Sequence, residues 1–275
     1  MELKNASLII SFYNNIDFLK LTLAGFERQT YNDFEIIIAD DGSSNEIVEK
    51  LNLIIQNSDL DIKHVWHKDE GWRKNIILNK AIIKSNSDYL IFIDGDCIPH
   101  KSFIEEHVLN KRKGYFLAGR RVNLSKYISN KLTNEKILDG YLEKRYLLLS
   151  FLLKVINKGT HIENGVYIKS KFIRKRINQK DKGILGSNFS LFKEDLLAVN
   201  GFDERYIHPA AGEDTDLEYR LRNYGIKCKT VKHLAIQYHL FHKKLKRNKE
   251  NLIILNENIR NKVTYTPFGI KKNKD

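Results

Sequence analysis

The stretch YLIFIDGD, residues 89–96, is an unbroken apolar run followed by two aspartates on either side of a glycine. An uninterrupted run of this kind suits a strand covered on both faces of its sheet. Upstream, apolar runs at 8–12, 34–39 and 62–66 alternate with residues at helical spacing: Ile16, Leu19, Leu23 and Phe26, then Ile47, Leu51, Ile54 and Ile55, then residues 76–83. Repeated strand–helix alternation predicts an α/β chain, with a mostly parallel central sheet flanked by helices on both faces. Such sheets bind ligands outside the carboxyl ends of their strands. Here those ends carry Ser11-Phe12-Tyr13, Asp40-Asp41-Gly42-Ser43 and Asp94-Gly95-Asp96.

Further along, residues 120–182 loosen into a basic insertion with one helix expected over 137–156. Ordered pattern resumes at GILGSNFSLF from Gly183, with a helix starting near Lys193. A helix over 214–224 is closed by Gly225 and followed by a strand over 226–231. Residues 243–275 read as a basic tail with a helix around 252–259. The chain's 275 residues, 42% of them hydrophobic, are enough to bury a core. No stretch approaches the roughly 20 apolar residues of a membrane span, and none at the N-terminus has signal-peptide character. The chain is therefore expected in the cytoplasm. Cys97 and Cys228 lack metal-ligand spacing and fit a reducing compartment.

The net charge of +13 is unevenly placed: residues 120–182 hold 16 Lys and Arg against 5 Asp and Glu, and residues 243–275 hold 10 against 3. Everything else is net acidic, so the positive charge lies outside the motifs that look catalytic. It is either solvated surface lysine or an attraction toward an anionic partner, a phospholipid surface or an acidic glycan. The apolar run 146–156 inside the insertion is either a peripheral contact with the membrane's inner face or a helix in the core or a dimer interface.

Asp94 and Asp96 sit where a strand ends and the chain turns, which suits either a polar turn or a hard divalent cation held with a diphosphate. Asp41 precedes a helix. It belongs to a βα turn capped by Ser43 or Ser44, or it accepts from the N–H of a pyrimidine base. Arg73, after Gly71 and Trp72, opposes the helix dipole; it is either a solvated arginine beside a stacking tryptophan or placed there for a phosphate or an aromatic base. Glu213, Asp214 and Asp216 open a helix where acidic residues are favoured, yet a carboxylate there could also take a proton from a hydroxyl. His239 and His242 offer nitrogen ligands or a phosphate contact.

In order, SFYN, ADDGSS, EGWRKNIILNKA, FIDGDCIP, GSNFSLFKEDLLAVNGFDE, AAGEDTDLEYRLRNYG and YHLFH resemble the family 2 glycosyltransferases of the GT-A fold. The second half is similar to the galactosyltransferase and chondroitin-polymerase branch. The resemblance covers roughly residues 5–242. It implies one GT-A domain over 1–242, comprising a nucleotide-binding half (1–119), the insertion (120–182) and an acceptor half (183–242), with 243–275 as the tail. It further implies that Asp41 reads the uracil of a UDP-sugar, that Ser11 and Tyr13 line the nucleotide pocket, that Arg73 faces base or diphosphate, and that Asp94 lies near the ribose. Asp96, with His239 and then His242, would hold Mn²⁺ or Mg²⁺. Asp214 would be the general base with Glu213 orienting a sugar, and Trp72, Ser187 and Asn188 would contact donor or acceptor sugar.

The implied reaction is an inverting transfer of a hexose or N-acetylhexosamine, galactose or N-acetylgalactosamine favoured, to a glycan or lipid-linked acceptor in bacterial surface polysaccharide synthesis. Two departures are visible: Ile77-Leu78-Asn79 replaces the family's Ala-Arg-Asn run, and Ala210-Ala211 replaces an aromatic residue before GED. The rivals are a nucleotidyltransferase, whose glycine-rich phosphate loop SFYNNI does not supply, and a non-catalytic binder of nucleic acid or an anionic surface.

Overall fold

The computed structural model describes residues 4–145, 160–178, 181–209, 212–243 and 248–272. Its strands are β1 (Ala6–Phe12), β2 (Phe34–Asp40), β3 (Ile62–Trp66), β4 (Tyr89–Asp94), β5 (Cys97–Pro99), β6 (Tyr115–Ala118), β7 (Arg120–Asn123), β8 (Phe189–Phe192), β9 (Lys227–Thr230) and β10 (Ile236–His239). Seven form the main sheet in the order β3-β2-β1-β4-β8-β6-β9, in which β8 alone runs against its neighbours. A second sheet has three strands in the order β5-β10-β7. Short strands such as β5, β6 and β7 carry too few residues to announce themselves by periodicity, and the sequence reading missed them.

Side chains alternate across β1, so Leu8 and Ile10 join one core and Ile9 the other. The first core is filled by helices Ile16–Phe26, Asn45–Gln56 and Phe103–Asn110, the second by Lys74–Lys84, Lys193–Ala198 and Glu213–Asn223. Helices therefore cover both faces, and β1, β2 and β4 are almost wholly buried.

The insertion is more ordered than its composition suggests. The helix expected over 137–156 is broken within its described part, and residues 126–144 form three short helices, Lys126–Ser129, Asn134–Leu138 and Tyr141–Lys144. Gly140, at φ 75°, adopts the left-handed conformation that separates the last two. Ile128, Leu132, Ile137 and Leu142 pack beneath the small sheet against Val122, Ile236 and Tyr238. The apolar run 146–156 lies outside the described residues, as do Ala210 and Ala211.

The C-terminal segment also docks. Helix Lys249–Arg260 packs on Glu213–Asn223, where Asn258 Nδ2 donates to Asp216 Oδ1 at 2.6 Å, and Thr266 Oγ1 donates to Asp203 Oδ2 at 2.8 Å. Asp216 thereby proves structural: its other oxygen takes Arg220 Nε at 2.8 Å, and Arg220, fully buried, also donates to the carbonyls of Val199 and Gly201. Arg220→Ala strips a buried carboxylate of its cation. It is expected to cost about 3–5 kcal/mol, read as a fall in the urea midpoint at unchanged slope.

Candidate active site

A cleft of about 480 Å³ opens at the carboxyl ends of β1, β2 and β4, lined among others by Ser11, Tyr13, Asp41, Trp72, Lys74, Asp94, Asp96 and His242. That is within the usual size of a small-molecule site.

On its β2 side, Asp41 is nearly buried and both oxygens are engaged: Oδ1 lies 2.8 Å from His67 Nε2, and Oδ2 accepts the backbone N–H of Arg73 at 2.9 Å. Burial raises its pKa, and those two contacts partly offset the rise. Gly42 (φ 91°) lets the chain pass against Asp69, where any Cβ would sit 2.6 Å from Asp69 Cα. Asp69 in turn accepts from Tyr13 Oη at 3.0 Å. Arg73 stands one residue ahead of helix Lys74–Lys84, not in its first turn, and its guanidinium donates to the Trp72 carbonyl. The cation that does face the dipole is Lys74, which the sequence reading passed over; the same field argument that singled out Arg73 belongs to its neighbour.

At the end of β4, Asp94 Oδ1 accepts from Ser11 Oγ at 2.6 Å and from Lys74 Nζ at 2.7 Å. Burial opposes ionisation of Asp94, but Lys74 outweighs it and the pKa falls. Lys74 shows the converse: burial favours its neutral form, while Asp94 and then Asp214 hold its pKa above the ordinary value. One ammonium group thus lies in the field of the strand-end carboxylates and of the acidic pair opening helix Glu213–Asn223.

Asp96 meets the two histidines through the small sheet. His239 pairs with Cys97 across β10 and β5, and Leu240 donates its N–H to the Asp96 carbonyl at 2.9 Å. His239 Nε2 and His242 Nε2 lie 3.4 and 3.2 Å from Asp96 Oδ2 and 3.2 Å from each other. Burial raises the Asp96 pKa, but the two histidines overcome this and it ends far below the usual carboxylate range. His242 Nδ1 faces the Lys243 carbonyl at 2.9 Å, so it carries a proton, and Nε2 is turned to Asp96, whose carboxylate raises the His242 pKa. Lone pairs that close are reconciled by a proton or by a cation between them. A carboxylate oxygen with two imidazole nitrogens fits a first-row divalent ion.

Opposite, Asp214 Oδ2 accepts the Gly186 N–H at 2.9 Å, and a Cβ on Gly186 would lie 2.3 Å from that carboxylate. Burial raises the Asp214 pKa, with Lys74 opposing it. Burial and the charge of Asp214 push Glu213 up to about 7. Ser187 accepts from Gln237 Nε2 at 2.8 Å and is contacted by Arg121, another residue that the sequence reading missed. Arg121 pairs with Gln237 across β7 and β10, which turns it to the face that carries His239.

Asn188 needs correction as a sugar contact. It is fully buried, and its amide is occupied by the carbonyls of Arg120 and Ala235 and by His107. It ties β7, the start of β10 and helix Phe103–Asn110 together and has no donor left for a ligand.

Residues 7–197 match the family model described as "Glycosyl transferase family 2", and residues 168–243 match that for the "N-terminal domain of galactosyltransferase". The chain is 26% identical over 238 residues to a chondroitin synthase of Escherichia coli, covering 85% of this chain and 34% of that protein. It is 29% identical over 229 residues to a chondroitin synthase of Pasteurella multocida, covering 78% and 22%. The chain thus spans about a third or less of the length of these curated relatives. Among solved structures, that of GalNAc-T7 with UDP, GalNAc and Mn²⁺ superimposes with a TM-score of 0.62 at 14% identity, over 93% of this chain and 48% of that one, which makes the fold GT-A. With the first model spanning β1 through β8 and the second running on through β10, the chain belongs to glycosyl transferase family 2.

Proposed function

We propose that this glycosyltransferase moves a hexose or N-acetylhexosamine, galactose or N-acetylgalactosamine favoured, from a UDP-sugar to a hydroxyl of a glycan or lipid-linked acceptor, with inversion, in bacterial surface polysaccharide synthesis. One observation carries this reading: Lys74 joins the diphosphate side of the cleft, Asp94 at 2.7 Å, to the base side, Asp214 and Glu213, whose charges it feels. Donor and acceptor chemistry would therefore meet at one ammonium group, which lines the cleft. Similarity to chondroitin synthases and to a GalNAc transferase solved with UDP supports the donor class.

In this reading Asp41, fixed by His67 and Arg73, accepts the uracil N–H, while Ser11 and Tyr13 hold the nucleotide beside Asp94. Asp96, His239 and His242 would hold Mn²⁺ or Mg²⁺, which when bound offsets charge developing on the UDP leaving group. Asp214 takes the proton of the acceptor hydroxyl as its oxygen bonds to the anomeric carbon and the bond to UDP breaks. Single displacement inverts the anomeric centre, and no residue in the described cleft is placed as a separate nucleophile. Ser187 positions Arg121 and Gln237, while Trp72 offers a stacking face.

The test is UDP release from a panel of UDP-sugars with Mn²⁺ and no acceptor. Slow release from one donor is expected and names the sugar; absence of UDP binding by the metal-loaded protein overturns the reading.

Helix Lys171–Ile177 buries none of its side chains, and Phe172 is 74% exposed beside Lys171, Arg174, Lys175 and Arg176. An apolar side chain among cations suits an anionic membrane surface. Reversing these four charges is expected to abolish co-sedimentation with phosphatidylglycerol vesicles, and unchanged sedimentation would exclude the contact.

A further inference from the structure

A second cavity, of about 250 Å³, is lined by Arg120, Arg176, Lys182, Lys232, Thr230 and Asn178. Thr230 ends β9, and Arg120 follows the end of β6 by two residues; both strands run in the same direction as β4. The cavity therefore sits on the same edge of the main sheet as Asp94, beyond β8. Its charge is only partly offset. Asp181 and Glu218, whose charges reach Arg120, are themselves held by Arg222 at 2.6 and 2.8 Å, Glu218 also accepts the Ile184 N–H, and Glu163 acts on Lys232 from a distance. Among the described residues no carboxylate forms an ion pair with any of the four cations. Arg120 is fixed instead by carbonyls, Gly119 at 2.5 Å and Gly183 at 3.1 Å. Burial pushes the Lys232 pKa down, Lys182 and Arg120 add to the fall and Glu163 opposes it, as expected where cations outnumber the acids around them.

Polar groups complete the wall. Asn178 Nδ2 donates to the Lys232 carbonyl at 3.2 Å, and its buried Oδ1 has no partner among the described residues, leaving an acceptor for a hydroxyl. The cavity is also tied to the reaction centre by a short piece of chain. Arg120 holds Gly183 and Asp214 holds Gly186, and three residues span at most about 10 Å.

We propose that this cavity is an acceptor subsite for an oxyanion, a carboxylate or phosphate carried by the acceptor a short distance from the hydroxyl that is glycosylated. The assignment to an acceptor rests on the transferase reading above. The cationic cluster gives charge-assisted hydrogen bonds to such a group, and Asn178 distinguishes a sugar-borne anion from a bare ion by taking a neighbouring hydroxyl.

The experiment is calorimetric titration of inorganic phosphate and of glucuronate at constant ionic strength, with UDP and Mg²⁺ filling the catalytic cleft. Wild type, Lys182→Ala/Lys232→Ala and Lys232→Arg are compared. Wild type is expected to bind at least one anion, the double variant to bind it about tenfold more weakly or worse, and Lys232→Arg to bind as wild type, all three keeping the same UDP affinity. Preference for phosphate would assign the anion to a phosphorylated carrier, and preference for glucuronate to an acidic sugar. No anion binding by wild type, or equal binding by the double variant, overturns the subsite. Failure of UDP to bind wild type would strike the transferase reading instead, with the anion isotherms still deciding the cavity.

Discussion

Asp214→Asn is expected to lower kcat by about 10²–10⁴-fold, the usual worth of a positioned general base, while UDP binding stays near wild type. The amide keeps the shape of the group and its acceptance of the Gly186 N–H, so the loss reads proton transfer and not a collapsed loop. A kcat within a few-fold of wild type would remove Asp214 from the base role. The pH profile adds a signed expectation. Burial and the Asp214 charge raise Glu213 to about 7, against an ordinary 4.5, and Asp214 is raised too. The acidic limb thus belongs to the pair, with activity rising with pH toward a plateau above 7. For folding the same shift has the opposite sign. A carboxyl whose folded pKa is raised loses stability as pH climbs from about 4.5 to 7, because the unfolded chain ionises more readily. Glu213→Gln should then raise the melting temperature at pH 8 by a few degrees while lowering activity; a lower melting temperature would contradict the burial account.

Asp96→Ala should abolish the response to Mn²⁺ and reduce UDP release by about 10³-fold or more, since the lost stabilisation of leaving-group charge amounts to several kcal/mol. His239→Ala and His242→Ala each leave the carboxylate in place and should weaken Mn²⁺ binding by about 10–100-fold. Asp96 is distinguished by its surroundings: both imidazoles converge on its Oδ2, and they hold it ionised despite burial. Wild-type Mn²⁺ affinity in Asp96→Ala, measured by the free-ion resonance signal, would place the ion elsewhere.

The first four strands were legible because they are long, apolar and regularly spaced by helices. Residues 62–66 became β3 without adjustment, and helix Ile16–Phe26 begins and ends on residues the spacing named. Strand-end carboxylates follow from that frame, which is why Asp41, Asp94 and Asp96 fall on one cleft. What lay hidden was built by pairing between distant segments. β5, β7 and β10 are three or four residues each, and only their register brings His239 beside Cys97 and Arg121 beside Gln237. Asn188 misled because the family resemblance alone put it among the sugar contacts; its amide is in fact occupied by carbonyls more than 40 residues away. The insertion misled through composition, where many lysines concealed Ile128, Leu132, Ile137 and Leu142, which form a small core of their own.

The C-terminal helix has a bearing on how such enzymes can be recombined. The matches to shared family segments end at residue 243, whereas Asn258, which donates to Asp216 on helix Glu213–Asn223, and Thr266, which donates to Asp203 in the segment ahead of that helix, lie after it. A chimera joined at the family boundary would carry Asp214 on a helix whose rear brace had been left with the other parent. The natural module for exchange therefore extends past residue 266, and the acidic pair and its C-terminal clasp should travel, and diverge, as one unit.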